Sequence, residues 1–169
     1  MPSNFVIFQN TFHPLKCRLL SAMKKKVGCC LCVLIMLLCC AALYGQCRVE
    51  RVSSLYDSLI AHEIESPKTV LAIAIFETGW MECHHCTYRF NNLFGFRNNG
   101  GYVRFKSISA CLDFLKHWQE KYYLPWGKKH PKGTYYDFLR HMRYAQNMVS
   151  YMKMIRPLEK WIDENIEQP

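Results

Sequence analysis

Ser66-Pro67-Lys68-Thr69-Val70-Leu71-Ala72-Ile73-Ala74-Ile75-Phe76-Glu77-Thr78-Gly79-Trp80 is the stretch on which the fold turns. Ser66 is an N-cap residue type, and Pro67 suits the first helical position, where a missing N–H is no loss. Val70 to Phe76 is apolar or small throughout. A helix without a polar face belongs in a core, and Gly79 is placed to end it. Glu77 is then a carboxylate at the end of an apolar helix. Such surroundings disfavour its charged form and raise its pKa, as a general acid requires to hold a proton near neutrality. From spacing alone, a fraying helix end or a pairing with an arginine is the better explanation of the glutamate.

Upstream, residues 49–65 carry Val52, Leu55, Leu59 and Ile60 at helical spacing. Downstream, residues 81–106 are rich in Asn, Gly and aromatics. Asn98-Asn99-Gly100-Gly101 predicts a turn between short β-prone runs, so the segment reads as loop plus hairpin. Ser107 is expected to cap a helix over 108–123 with Cys111, Phe114, Leu115 and Trp118 as its apolar stripe. Residues 124–133, with two prolines and two glycines, read as a loop. A short helix over 134–142, a connection over 143–147 and a final helix over 148–166, broken or kinked at Pro157, complete the chain. The expected fold is mainly α, with one small β excursion and no repeat, low-complexity linker or second domain. A chain of 169 residues, 50% hydrophobic, supports one proper core.

The N-terminal part reads differently. Val27 to Tyr44 carries no charge, and Lys24, Lys25 and Lys26 stand directly before it. A basic start, an apolar run and small residues after it form the layout of a secretory signal, here over residues 23–46 with cleavage near Gly45-Gln46. Residues 1–22 would be an upstream extension from a misassigned start, Met23 being the better one. A retained anchor through 27–44 also fits, because roughly 18 uncharged residues meet the minimum for a membrane span. A lipoprotein signal before Cys47 is the weakest fit. The folded domain is then expected over residues 47–169, exported to the periplasm or envelope.

Without the leader the charge is modest. Five of the 22 basic residues precede Val27 and all 13 acids follow it, leaving 17 against 13, a net of +4. That suits an anionic wall polymer or ordinary solubility and is too weak to argue for nucleic acid. Of ten cysteines, Cys47, Cys83, Cys86 and Cys111 remain for the domain. A structural disulfide among them is the preferred reading, with free thiols, a metal site and a redox pair as alternatives. Cys83-His84-His85-Cys86 is too compact for all four to wrap one zinc, so no metal or cofactor is expected. His117, His130 and His141 read as surface residues, and Lys128, Lys129 and Lys132 as a solvated basic loop.

Glu77-Thr78-Gly79-Trp80, followed by Asn91-Asn92-Leu93-Phe94-Gly95-Phe96, a glycine-aromatic hairpin, the helix start Phe105-Lys106-Ser107, and then Tyr144-Ala145 and Tyr151, resembles the glucosaminidase family related to glycoside hydrolase family 73. The resemblance spans roughly Ile64 to Ile155. It implies a lysozyme-like, mainly α fold with a small β lobe beside a cleft. It further implies cleavage of the N-acetylglucosaminyl β-1,4 linkage to N-acetylmuramic acid in bacterial peptidoglycan. Glu77 falls on the family's catalytic acid and Tyr144 on a cleft tyrosine near the scissile bond. Asn91, Asn92 and Phe94 fall on the motif lining the sugar site, and Tyr151 on the closing segment. Amides can donate to and accept from sugar hydroxyls, and Trp80, Phe94 and Tyr102 offer aromatic faces to pyranose rings. Core packing is the rival reading for Phe94 and Phe96.

Glycosidases usually work with two carboxylates, yet residues 83–112 contain no Asp or Glu. Glu82 follows Glu77 too closely and Asp113 sits one turn into a helix. The expectation is therefore Glu77 assisted by the substrate's own N-acetyl oxygen, with attack by a water held by Tyr144 and the Asn pair as the alternative. The function expected is a monomeric endo-β-N-acetylglucosaminidase acting on peptidoglycan or another N-acetylglucosamine-containing glycan. A non-catalytic glycan-binding module and a lytic transglycosylase are the competing readings.

Overall fold

The computed structural model describes residues 29–166. The chain is mainly helical with one two-stranded antiparallel sheet. Residues 1–28, on which the upstream extension and the basic start of the leader rest, lie outside the described residues. Helix α1 spans Cys29–Ala61, and its early residues Met36, Leu37, Leu38 and Leu43 are exposed. Among the described residues no helix is long and apolar enough to cross a membrane. From Val49 onward the chain forms one compact unit, to which α1 contributes Val52, Leu55, Tyr56 and Leu59 as buried residues. Ile60, expected on that stripe, is instead exposed, one position round the helix from Leu59.

Helix α2 spans Pro67–Thr78 and buries every residue from Val70 to Ile75. Side chains that vanish from water on all sides contribute about 1.5–3 kcal/mol each for the larger ones, which makes α2 the axis of the core. Ser66 holds the N-cap position but is left-handed, at φ 54, with no side-chain cap bond; Pro67 alone marks the start. The other end is a Schellman cap. Gly79 sits at φ 54, its N–H donates to the Phe76 carbonyl, and the Trp80 N–H donates to the Ile75 carbonyl.

Strands β1 (Arg97–Asn98) and β2 (Gly101–Tyr102) pair across Asn99-Gly100, with Arg97 opposite Tyr102. A single 3₁₀ turn over Thr87–Phe90 precedes them. Helix α3 covers Ile108–Trp118, capped by the Ser107 side chain, which accepts from the Ala110 N–H. Cys111, Leu112 and Leu115 are buried on it, while Phe114 is exposed at one edge and leans on Phe96, ring centroids 4.9 Å apart. Helical chain continues beyond α3, through a wider π turn at Gln119–Tyr123 into α4, Leu124–Lys129. That corrects the expected loop: Pro125 falls in the first turn of α4, where proline is tolerated. The π turn carries Gln119, buried at 1% exposure. Its amide accepts from the Glu65 N–H and donates to the Glu65 carbonyl and the Tyr135 hydroxyl.

Helix α5, Tyr135–His141, opens on a full capping box between Thr134 and Asp137. Helix α6 runs unbroken over Met148–Asn165, so Pro157 does not end it. Pro157 and Lys153, whose carbonyl the proline cannot serve, are both exposed, and water can take the missing bond. Helices α2 and α6 run antiparallel. Lys68 meets Asp163 at 3.2 Å and Thr69 donates to Glu159 at 2.6 Å near one end. At the other end Phe76 packs edge-on against Tyr151.

Candidate functional site

The antiparallel register of α2 and α6 brings Tyr151 to Glu77. The Tyr151 hydroxyl donates to Glu77 Oε1 at 3.0 Å. Burial pushes the Glu77 carboxyl from 4.5 up to about 7, against a smaller lowering from the Tyr151 hydrogen bond. Glu77 as a residue is half-buried rather than fully enclosed. The other oxygen, Oε2, faces Gly95, and a Cβ built there would stand 3.6 Å from it. Gly95 has φ +65, a conformation that favours glycine.

Tyr144 is buried, and its hydroxyl donates to the Phe94 carbonyl at 2.8 Å. Its ring lies 5.7 Å from that of Tyr151. Burial first, then charged or polar neighbours including Glu77, holds both phenols well above their ordinary range, so both stay protonated donors. Glu77, Tyr151, Tyr144 and the Phe94-Gly95 backbone therefore form one connected group.

Asn92 fixes the other side of Gly95. It is fully buried. Its Nδ2 donates to the carbonyls of Phe96 at 2.8 Å and Val103 at 3.0 Å, and its Oδ1 accepts from the Phe96 N–H at 2.9 Å. Its amide is thus committed to the backbone, and it positions the loop rather than presenting a group to a sugar. Asn91 is left-handed at φ 52 and donates to the Phe105 carbonyl at 3.0 Å, a second stitch in the same loop. Phe94 is buried at 4% exposure with its ring 5.6 Å from Phe96, so its ring is core and only its carbonyl joins the group.

Trp80 and Tyr102 are half-buried. Trp80 packs edge-on to Trp161 at 4.7 Å, and Tyr102 lies under the Arg97 guanidinium at 4.8 Å. Behind Glu77 the chain makes an uncommon turn: Gly79, Trp80 and Met81 are successively left-handed, at φ 54, 64 and 59. Non-glycine residues adopt that region at a cost of about 1–2 kcal/mol each. Fixed partners hold it. Thr78, fully buried, donates to the Ala74 carbonyl and accepts from the Met81 N–H, and Arg51 donates to the Trp80 carbonyl at 3.3 Å.

Neither neighbouring carboxylate joins Glu77. Glu82 pairs with Arg51 at 3.1 Å. Asp113 lies 3.5 Å from His62, beside a groove of about 260 Å³ that none of the predicted site residues lines. The expected disulfide is corrected for three cysteines: Cys83, Cys86 and Cys111 are free thiols. Cys111 points into the core, where burial pushes its thiol up to about 12. The Cys86 thiol donates to the Cys83 carbonyl at 2.9 Å instead of bonding its sulfur. Cys47 is exposed on α1. Among the described residues no three His, Cys, Asp or Glu side chains are grouped to hold a metal ion.

Sequence reasoning missed the direct Tyr151–Glu77 bond, and Gly95 as the neighbour of Oε2. Tyr144 lies in the connection before α6 and Tyr151 within it, so no local periodicity signalled the pair. Comparisons with protein-family models, with curated proteins and with solved structures find no match.

Proposed function

We propose that the chain is an exported peptidoglycan hydrolase, an endo-β-N-acetylglucosaminidase on a lysozyme-like scaffold, with Glu77 as its general acid. The observation that carries this reading is the Glu77 carboxyl, raised to about 7 by burial yet partly exposed, and oriented by Tyr151. A carboxyl matched to neutral pH can give a proton to a leaving glycosidic oxygen. Oε1 accepts the Tyr151 hydroxyl, so the acid proton belongs on Oε2, beside Gly95.

Glu82 and Asp113 are each engaged with a basic side chain, which supports a mechanism with one protein carboxylate. The substrate's own N-acetyl oxygen then stabilises the developing positive charge at the anomeric carbon. Tyr144 acts by fixing the Phe94 carbonyl, and with it the Gly95 loop, against Glu77.

Product analysis of purified sacculi treated with the full-length chain tests the reading. New reducing N-acetylglucosamine ends are expected. Anhydro-muramic ends would assign a lytic transglycosylase, and binding without release a glycan-binding module.

A further inference from the structure

The hairpin region carries a second feature, independent of Glu77. Residues 83–112 contain no Asp or Glu but include Arg89, Arg97, Arg104 and Lys106. Two of these arginines share one aromatic ring. The Arg89 guanidinium carbon lies 4.5 Å from the Phe90 centroid and that of Arg104 lies 3.9 Å from it. Their centres can be no farther apart than those two distances together. Arg97 stacks over Tyr102 at 4.8 Å on the adjoining strand. Hydrogen bonds hold the platform in place: the Phe105 N–H donates to the Phe90 carbonyl at 2.9 Å, and Asn91 donates to the Phe105 carbonyl.

Arg89 and Arg104 are exposed, and among the described residues no carboxylate forms an ion pair with either. Two like charges converging on one ring, with no acid between them, repel each other and would be expected to splay apart. The ring quadrupole offsets part of that repulsion. Contact with the ring also removes much of the side-chain freedom that binding would otherwise have to freeze. A pair of preordered N–H forks suits planar oxyanions held at intervals on a chain.

We propose that this hairpin surface, centred on Arg89 and Arg104 over Phe90, is a binding site for a carboxylate-bearing polysaccharide. The rings here are covered by guanidinium groups, so they offer no open platform for nucleobases, which favours an acidic glycan over nucleic acid. The site stands whether or not Glu77 cleaves anything.

Polygalacturonate, with one carboxylate per ring and no N-acetylglucosamine linkage, is the probe, and hydroxyethyl cellulose the neutral control. The full-length chain should bind the first and not the second, more weakly as salt rises. Replacing Arg89→Gln together with Arg104→Gln should weaken binding about tenfold or more. Changing Lys128, Lys129 and Lys132 to Gln should leave it within about twofold, a smaller change than loss of one charge-assisted bond brings. Arg89→Lys with Arg104→Lys keeps the charge but not the fork and should bind several-fold more weakly, which covers the case of a glutamine pair that does not melt like the wild type. The proposal is overturned by wild-type binding in the glutamine pair, by lysine and arginine forms that bind alike, by no binding at all, or by tighter binding to a single-stranded oligonucleotide than to polygalacturonate.

Discussion

Replacing Glu77 by Gln should change how stability depends on pH. The glutamine keeps the shape and still accepts from Tyr151, but it has no charge to bury. In the wild type the folded carboxyl titrates at about 7 rather than 4.5. At about 1.36 kcal/mol for each pH unit, that difference is worth about 3 kcal/mol. The sign follows from the raised value. Below about pH 4.5 the carboxyl is protonated in both states and costs nothing. As pH rises the unfolded chain releases its proton first, so the fold loses stability progressively until pH passes about 7. Urea unfolding followed by tryptophan fluorescence at pH 5, 6, 7 and 8 reads this directly. The Glu77→Gln variant should match the wild type near pH 4.5 and exceed it by roughly 3 kcal/mol at pH 8. Parallel curves for the two proteins would refute the buried, raised carboxyl.

Tyr151→Phe removes the hydrogen bond that lowers the Glu77 carboxyl, so the alkaline limb of the pH–rate profile on sacculi should move to higher pH; an unmoved limb contradicts the contact. Gly95→Ala places a Cβ at φ +65 and should cost about 1–2 kcal/mol in the urea midpoint, with slower lysis because that carbon stands beside Oε2. Asn92→Ala strips partners from a buried N–H and two carbonyls. It should destabilise by roughly 2–4 kcal/mol, whereas a glycan contact alone would leave the melting temperature unchanged.

The core of the molecule was readable from the chain. An apolar run between Pro67 and Gly79 admits little except a buried helix, and α2 is that helix. Asn99-Gly100 turned where it was expected to turn, and Ser107 capped the next helix. Short polar residues gave weaker guidance, because the same amide that can bind a sugar can instead close a loop. Asn92 does the latter with both its N–H groups and its oxygen, and Asn91 ties the loop to Phe105 through its Nδ2; neither set of partners can be read from the residue type. Prolines misled in one direction: Pro125 lies in helical chain that continues from the π turn, and Pro157 rides inside α6. Ser66 has the right side chain for a cap and the wrong backbone angle. The Tyr151–Glu77 bond spans 74 residues and depends on the register of α2 against α6, which no local pattern encodes.

In the proposed function the Glu77 carboxyl supplies the proton to the leaving glycosidic oxygen. The most direct measurement compares muropeptide release from purified sacculi by the wild type and by Glu77→Gln at pH 6, each verified as folded by its unfolding curve. New reducing N-acetylglucosamine ends are expected from the wild type and none from the variant. Release by a folded Glu77→Gln protein at the wild-type rate would contradict that role.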